Sequence, residues 1–136
     1  MKELENEFIR FWIVDGIMYS KFKLNVNLDL DKVKKIIELR HAISNDINQY
    51  WCYDVKEAKD FPKECRDYVD VYGQDFLFAC AIVINSHIHK FLFNAFLKLK
   101  KSKIPFQAFT NKEKAAEWLK EIKVNNEKHN HHNGRK

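Results

Sequence analysis

Apolar and polar residues alternate at the start of the chain in the manner of strands. Ile9, Phe11 and Ile13 fall on one face of an extended segment, the period of a half-buried strand. Asp15-Gly16 interrupts this segment, and an Asp-Gly pair between two alternating runs is typical of a two-residue hairpin whose central residues need positive φ. The pattern predicts two antiparallel strands, over 7–14 and 17–23.

The rest of the chain switches between helical and strand patterns. Apolar residues at helical spacing follow Asp29, a suitable N-cap, and continue to about Ser44. Pro62 suits the first position of a second helix, which Gly73 ends. A capping box from Thr110 to Glu113 opens the last helix. The remaining predicted elements are strands over 49–55, 78–84 and 104–109, and helices over 86–101 and 110–122.

The resulting element order is β-β-α-β-α-β-α-β-α, which defines the fold class. Strands that alternate with helices need right-handed crossovers and a largely parallel sheet. We therefore predict an α/β fold with a mostly parallel five-stranded sheet and an antiparallel N-terminal hairpin. Residues 1–124 are expected to form a single domain, followed by a polar, flexible tail over 125–136.

Composition and charge indicate which partners and which cellular compartment to expect. The net charge is +5, but the tail carries part of it and acidic residues are interleaved with basic ones elsewhere, so nucleic acid is not an expected partner. Three cysteines with no CxxC spacing indicate reduced thiols. No signal-peptide pattern opens the chain, and its longest apolar run, 76–84, is far shorter than the ~20 residues that span a bilayer. We expect a cytoplasmic protein.

Several segments together resemble a known bacterial family. They are FWIVDGI (11–17), the strand end Tyr53-Asp54, AIVINS (81–86) and FTNKEKAAEWL (109–119). Over about residues 7–122 the chain resembles the SpoIIAA-like, or STAS-like, domains, and within them small stand-alone proteins of uncharacterised function. The resemblance implies a sheet and four helices wound as a β-α superhelix, with a regulatory or binding role rather than catalysis.

The anti-anti-sigma members of that family carry a phosphorylated serine at the start of the helix after the third strand. Counted from Asp54, the corresponding stretch here is Phe61-Pro62-Lys63-Glu64-Cys65. It contains no hydroxyl that could accept a phosphoryl group. The sequence therefore argues against the phosphorylation switch of those relatives.

Candidate ligand-binding residues follow two of the predicted parallel strands. Open α/β sheets bind ligands at the carboxyl ends of their strands. The candidates after the third strand are Asp54, Lys56, Asp60 and Lys63, and those after the fourth are Asn85, Ser86 and His87. Helix capping by Ser86 and ordinary solvation of His87 are the simpler explanations for that pair.

Arg40 lies on the apolar stripe of the first predicted helix. A charge on a core-facing stripe needs a partner, and an arginine-carboxylate fork is the usual solution. We predict a structural ion pair between Arg40 and Asp54, with an anion or substrate site as the alternative.

The predicted 86–101 helix carries apolar residues on two sides. Phe93 and Leu97 project opposite its core stripe. Their basic neighbours are Lys90, Lys100 and Lys101. This outer face is a candidate interface for a second copy of the chain or another protein, or for a membrane surface or acyl chain. Cover by the tail or the last helix would explain it without any partner.

The leading functional hypothesis is a non-enzymatic STAS-like module that binds an unidentified partner protein or small molecule. The alternative is binding of a lipid or other apolar ligand between the 86–101 helix and the sheet. No cofactor is expected, because the chain has neither a GxGxxG nor a GxxxxGK[ST] loop. No metal site is expected either, because the histidines of the tail have no cysteine nearby.

Overall fold

The computed structural model describes residues 2–24, 26–60, 62–86 and 103–133. The strands within them are β1 (Lys2–Glu5), β2 (Ile9–Val14), β3 (Ile17–Phe22), β4 (Val26–Asn27), β5 (Gln49–Asp54), β6 (Ala58–Asp60), β7 (Leu77–Val83) and β8 (Phe106–Phe109). The helices are α1 (Leu30–Ser44), α2 (Lys63–Tyr72) and α3 (Lys112–Asn133). Apart from its first residue, the predicted 86–101 helix lies outside these ranges.

Six strands form the main sheet, in the order β1-β2-β3-β5-β7-β8. The first three are antiparallel, and β3, β5, β7 and β8 are parallel. This arrangement confirms the predicted α/β class, with one strand more than expected. The extra strand is β1, a short and fully exposed segment whose charged sequence has no apolar alternation that could reveal it. The strands β4 and β6 pair separately as a short parallel ribbon.

The predicted hairpin is confirmed at its turn. Asp15 and Gly16 have φ values of 52° and 75°, so both central residues adopt the left-handed region that a type I′ turn requires. The register that follows places Val14 opposite Ile17. This tight connection fixes which faces of β2 and β3 are buried.

The sheet is covered by helices on both faces, and each face has its own apolar core. On one face, α1 and α2 pack through residues such as Ile36, Ile43 and Cys65 against Phe11 and Trp51. On the other face, α3 covers a second set of strand residues. That set is Ile17, Tyr19, Tyr50, Cys52, Ala79, Ala81, Val83 and Phe109, packed against Ala115 and Leu119. Successive residues of β5 therefore belong to different layers, as the strand period requires.

The helix ends agree only in part with the sequence patterns. Asp29 caps α1 as predicted, with its Oδ1 accepting a hydrogen bond of 2.8 Å from the Lys32 N–H. The cap of α3 is Asn111, which accepts from the Lys114 N–H at 3.0 Å, so the predicted capping box on Thr110 is wrong by one residue.

The last helix is longer than its apolar stripe suggested. It continues to Asn133, so residues 125–133, predicted to belong to a flexible tail, extend α3 instead. Their apolar content is low, and the apolar period therefore gave no sign of this continuation. Within the described ranges, no helix is both long enough and apolar enough to cross a membrane.

Candidate functional site

A cleft of about 310 Å³ opens where β3 and β5 end and α3 begins. The strands β3 and β5 are parallel to each other, so their carboxyl ends lie at the same edge of the sheet. The start of α3 lies above that edge on the face that this helix covers. The cleft therefore occupies the position at which open α/β sheets bind ligands.

Polar and aromatic groups line this cleft together. The residues from the strands and their ends are Trp12, Tyr19, Ser20, Lys21, Cys52, Asp54 and Lys56. Those from the segment that opens α3 are Thr110, Asn111, Lys112 and Glu113. Three lysines against two carboxylates leave one unit of positive charge on the lining.

Two aromatic rings form one wall of the cleft. Trp12 and Tyr19 are direct cross-strand neighbours on β2 and β3, and their rings stack with centroids 5.7 Å apart and an angle of 14° between planes. We call these two residues the aromatic pair. The Nζ atom of Lys112 lies 5.3 Å from the centroid of each ring, within the range of a cation-π contact. The ring of Trp12 is also 5.0 Å from the Arg10 guanidinium carbon.

Asp54 and Lys56 form a polar part of the lining. The carboxylate of Asp54 accepts a hydrogen bond of 3.0 Å from the Lys56 N–H, and its Oδ2 atom lies 3.7 Å from the Lys56 Nζ. The amide of Asn85 donates to the Lys56 carbonyl at 3.2 Å. Three of the predicted site residues are thus brought together, with Asp54 and Lys56 lining the cleft.

Cys52 is among the lining residues but is almost fully buried. Burial raises the pKa of this thiol to about 12. The thiolate needed for nucleophilic chemistry is therefore scarce at neutral pH. Cys80, on the opposite face, is also buried and its pKa is raised by the same cause.

The other predicted ligand residues do not line the cleft. Asp60 lies in β6, which pairs with β4 and not with the main sheet. The exposed Lys63 forms an ion pair of 2.9 Å with Asp67 one turn along α2. Ser86 is half-buried and absent from the lining, and His87 lies outside the described residues.

The predicted ion pair between Arg40 and Asp54 is wrong, because the two side chains lie on opposite faces of the sheet. Asp54 and Cys52 share the face that α3 covers, whereas Arg40 stacks on Trp51 on the other face, with 5.0 Å between guanidinium carbon and ring centroid. Neighbouring strand positions of odd and even number point in opposite directions. An arginine above Trp51 therefore cannot reach the carboxylate three residues along β5.

Arg40 instead binds backbone carbonyls. Its Nη1 donates to the Asp75 carbonyl at 2.8 Å and its Nη2 to the Gly73 carbonyl at 3.3 Å. The side chain is completely buried, and this burial lowers its pKa to about 10. These hydrogen bonds connect α1 to the loop between α2 and β7, and the role of Arg40 is structural.

The proposed interface residues Phe93, Leu97, Lys90, Lys100 and Lys101 all lie outside the described residues. The interface hypothesis and the alternative of an apolar ligand beneath the same helix therefore remain predictions. The stretch that corresponds to the phosphorylated segment of the relatives does begin a helix, since α2 starts at Lys63. Its cap position is Pro62, which has no side-chain hydrogen bond to the helix.

The sequence patterns missed the residues that shape the cleft most. Trp12, Tyr19 and Lys21 belong to the predicted hairpin and Lys112 to the predicted capping box, and neither pattern by itself indicates a ligand site. The sequence did contain a signal for Tyr19 and Lys21. A helix separates their strand from β5, which predicts that the two strands are parallel and end at the same edge of the sheet. In the described part of the chain, no group of three or more His, Cys, Asp or Glu side chains could hold a metal ion.

Comparisons with known proteins place this architecture in a class. A crystal structure of an uncharacterised protein of the DUF3478 family from Shewanella loihica PV-4, with a SpoIIAA-like fold, superposes with a TM-score of 0.59. The alignment covers 85% of this chain and 98% of that one, at 14% sequence identity, which establishes a shared SpoIIAA-like fold and nothing further.

A comparison with models of protein families identifies the family of this chain. Residues 11–123 match the family described as a domain of unknown function (DUF7793), and the chain belongs to that family. The match begins within β2 and ends within α3, so it includes every residue that lines the cleft. A comparison with curated proteins finds no match.

Proposed function

We propose that this protein is a non-enzymatic binding module that holds a small molecule in the cleft between the carboxyl ends of β3 and β5 and the start of α3. The observation that carries the proposal is the cleft itself. Its volume of about 310 Å³ is at the lower end of the range for small-molecule sites, and aromatic and charged side chains line it together.

The chemistry of the lining favours binding over catalysis. Nucleophilic catalysis needs an activated group with a base in hydrogen-bond reach. Cys52 is the thiol of the cleft, and its raised pKa keeps it protonated. The carboxylate of Asp54 is engaged by the backbone and ammonium of Lys56. A ligand would therefore meet a preformed polar surface in which these two groups are already committed.

The location also supports a ligand-dependent role for α3. Lys112 and Glu113 are in the first turn of this helix, while Ala115 and Leu119 further along it are fully buried against the sheet. A molecule in the cleft would contact strands and helix at once. Binding would then stabilise the folded state by mass action, as for any ligand that binds only the folded chain.

The test is a fragment screen by ligand-observed NMR on the full chain, with a variant that fills the cleft. Thr110→Trp places a large ring in the lining just before α3, and Lys114→Trp, at an exposed position in the first turn of α3 outside the lining, is the control. We expect fragments that bind the wild type and the control to lose binding in Thr110→Trp. Fragments whose binding is unchanged by Thr110→Trp, or a complete lack of binders, would refute the proposal.

A further inference from the structure

We propose, building on the proposed function of the cleft, that its ligand is a small organic monoanion of the carboxylate type and that the Lys112 ammonium binds the anionic group. The inference starts from the way this lysine is held. Its Nζ lies 5.3 Å from the ring centroids of both Trp12 and Tyr19, and all three residues line the cleft.

The aromatic pair positions Lys112 without neutralising it. A ring attracts a cation through its quadrupole, so the ammonium keeps its full charge and its N–H donors. Among the described residues Lys112 forms no ion pair with a carboxylate. Two rings therefore restrict the usual freedom of a lysine side chain at an exposed helix start, and they leave its charge available to a ligand.

The neighbouring charges set the ligand's charge. The Lys56 ammonium is paired with the Asp54 carboxylate at 3.7 Å, whereas Lys21, the register partner of Asp54 on β3, has no ion pair within the described residues. Glu113 adds one negative charge beside Lys112. The lining as a whole has a net charge of +1, so one bound negative charge balances it, while a second would lie beside the carboxylates of Asp54 and Glu113 without compensation.

The aromatic pair also favours a ligand with an apolar body. The Trp12 side chain is half-buried, and its ring forms part of the lining. An anion with a ring could thus place its carboxylate near Lys112 and its apolar part along this wall. A bare inorganic anion would use the charge but leave the aromatic surface without a partner.

Three small aromatic probes that differ in charge test the charge requirement on the full chain. They are benzoate as the monoanion, benzamide as its neutral isostere, and phthalate as a dianion, each titrated while ¹H–¹⁵N spectra are recorded. We expect benzoate to shift the Lys112 amide and the Trp12 indole signals, with benzamide and phthalate at least about tenfold weaker. Equal affinity for benzoate and benzamide would overturn the inference.

A pair of matched variants tests the residue. Lys112→Gln should weaken benzoate about tenfold and leave the affinity for benzamide unchanged, because only the charged hydrogen bond is lost. Lys114→Gln removes the same charge from the same helical turn outside the cleft and should change neither affinity. Equal weakening of benzoate by both variants would show a diffuse charge effect and refute the role of Lys112.

The probe and fragment experiments together distinguish a failure of this inference from a failure of the proposed binding function. If neutral fragments occupy the cleft as well as anions do, the inference is wrong and the binding function stands. If benzoate shifts only signals remote from the cleft, the inference is also wrong. If no probe or fragment reaches the cleft, both proposals are wrong.

Discussion

Replacing Arg40 by methionine tests how a completely buried charge is tolerated in this fold. Methionine keeps much of the length and apolar volume of the side chain, but it removes the guanidinium from above Trp51. If Arg40 were half of a buried ion pair, its loss would leave a carboxylate without its partner and cost about 3–5 kcal/mol. The structure gives it two carbonyl partners instead, and the expected cost is lower.

The magnitude follows from two opposing terms. A pKa lowered from 12.5 to about 10 means that keeping Arg40 charged in the fold costs about 3 kcal/mol, and methionine removes this cost. The two hydrogen bonds to the carbonyls of Gly73 and Asp75 contribute about 1.5–3 kcal/mol each, and methionine loses both. The terms nearly cancel, so Arg40→Met should destabilise the protein by about 1–2 kcal/mol.

Arg40→Lys provides the decisive comparison. Lysine keeps the buried charge and its cost, but its single ammonium group cannot reproduce the fork that reaches two carbonyls. We therefore expect Arg40→Lys to be less stable than Arg40→Met by about 1–2 kcal/mol. The exposed Lys35→Met on the same helix is the control and should change stability by less than about 0.5 kcal/mol.

Urea unfolding at pH 7, followed by tryptophan fluorescence, measures all three free energies. A lysine variant more stable than the methionine variant would refute the reasoning, since it would show that a positive charge at this position is needed for its own sake.

The pKa of His41 provides an independent measurement of the Arg40 charge. Its Nε2 lies 3.4 Å from the Arg40 Nη2, and its pKa is lowered first by burial and then by this charge. In Arg40→Met the pKa of His41, followed by NMR titration, should rise.

Two further predictions concern the turn and the buried thiols. Gly16→Ala should cost about 1 kcal/mol or more in urea melts, because φ is +75° and the new Cβ would lie 2.5 Å from the Lys123 Cε; an unchanged midpoint would contradict this. Burial raises the thiol pKa of Cys52 from 9.0 to about 12 and raises that of Cys80, so above pH 9 the folded chain holds protons that the unfolded chain has lost. Stability should therefore fall from pH 8 to pH 10 by about 1.4 kcal/mol per thiol, and a urea midpoint at least as high at pH 10 would refute the reasoning.

Much of the fold could be predicted because its signals are local. The Asp15-Gly16 turn, the Asp29 cap and the apolar stripe of α1 each depend on residues close in sequence, and the structure confirms them. The strand β1 could not be predicted in this way. It is held by hydrogen bonds to β2, and its four exposed residues leave no apolar pattern.

The site was less predictable because it joins segments distant in sequence. Asp54 and Lys56 could be predicted because they lie at the end of a strand with a clear pattern, whereas Lys112 joins the cleft only because α3 packs against the aromatic pair. The error on Arg40 has a related cause. The sequence shows that a buried arginine needs partners, but any residue can supply a carbonyl, and the residue type carries no sign of it.

The length of α3 has a consequence for how the helix opens. Its 22 residues extend about 33 Å, but its fully buried contacts, Ala115 and Leu119, lie in the first half. Asn126 still reaches the sheet through its hydrogen bond to the Tyr50 hydroxyl, and the next residues, 127–129, are exposed. From Ala115 on, the first half can exchange its hydrogen-bonded amides only when the core opens, while the second half can unwind turn by turn from its end. Amide exchange along this one helix should thus accelerate progressively after Asn126, with its slowest amides around Ala115 and Leu119.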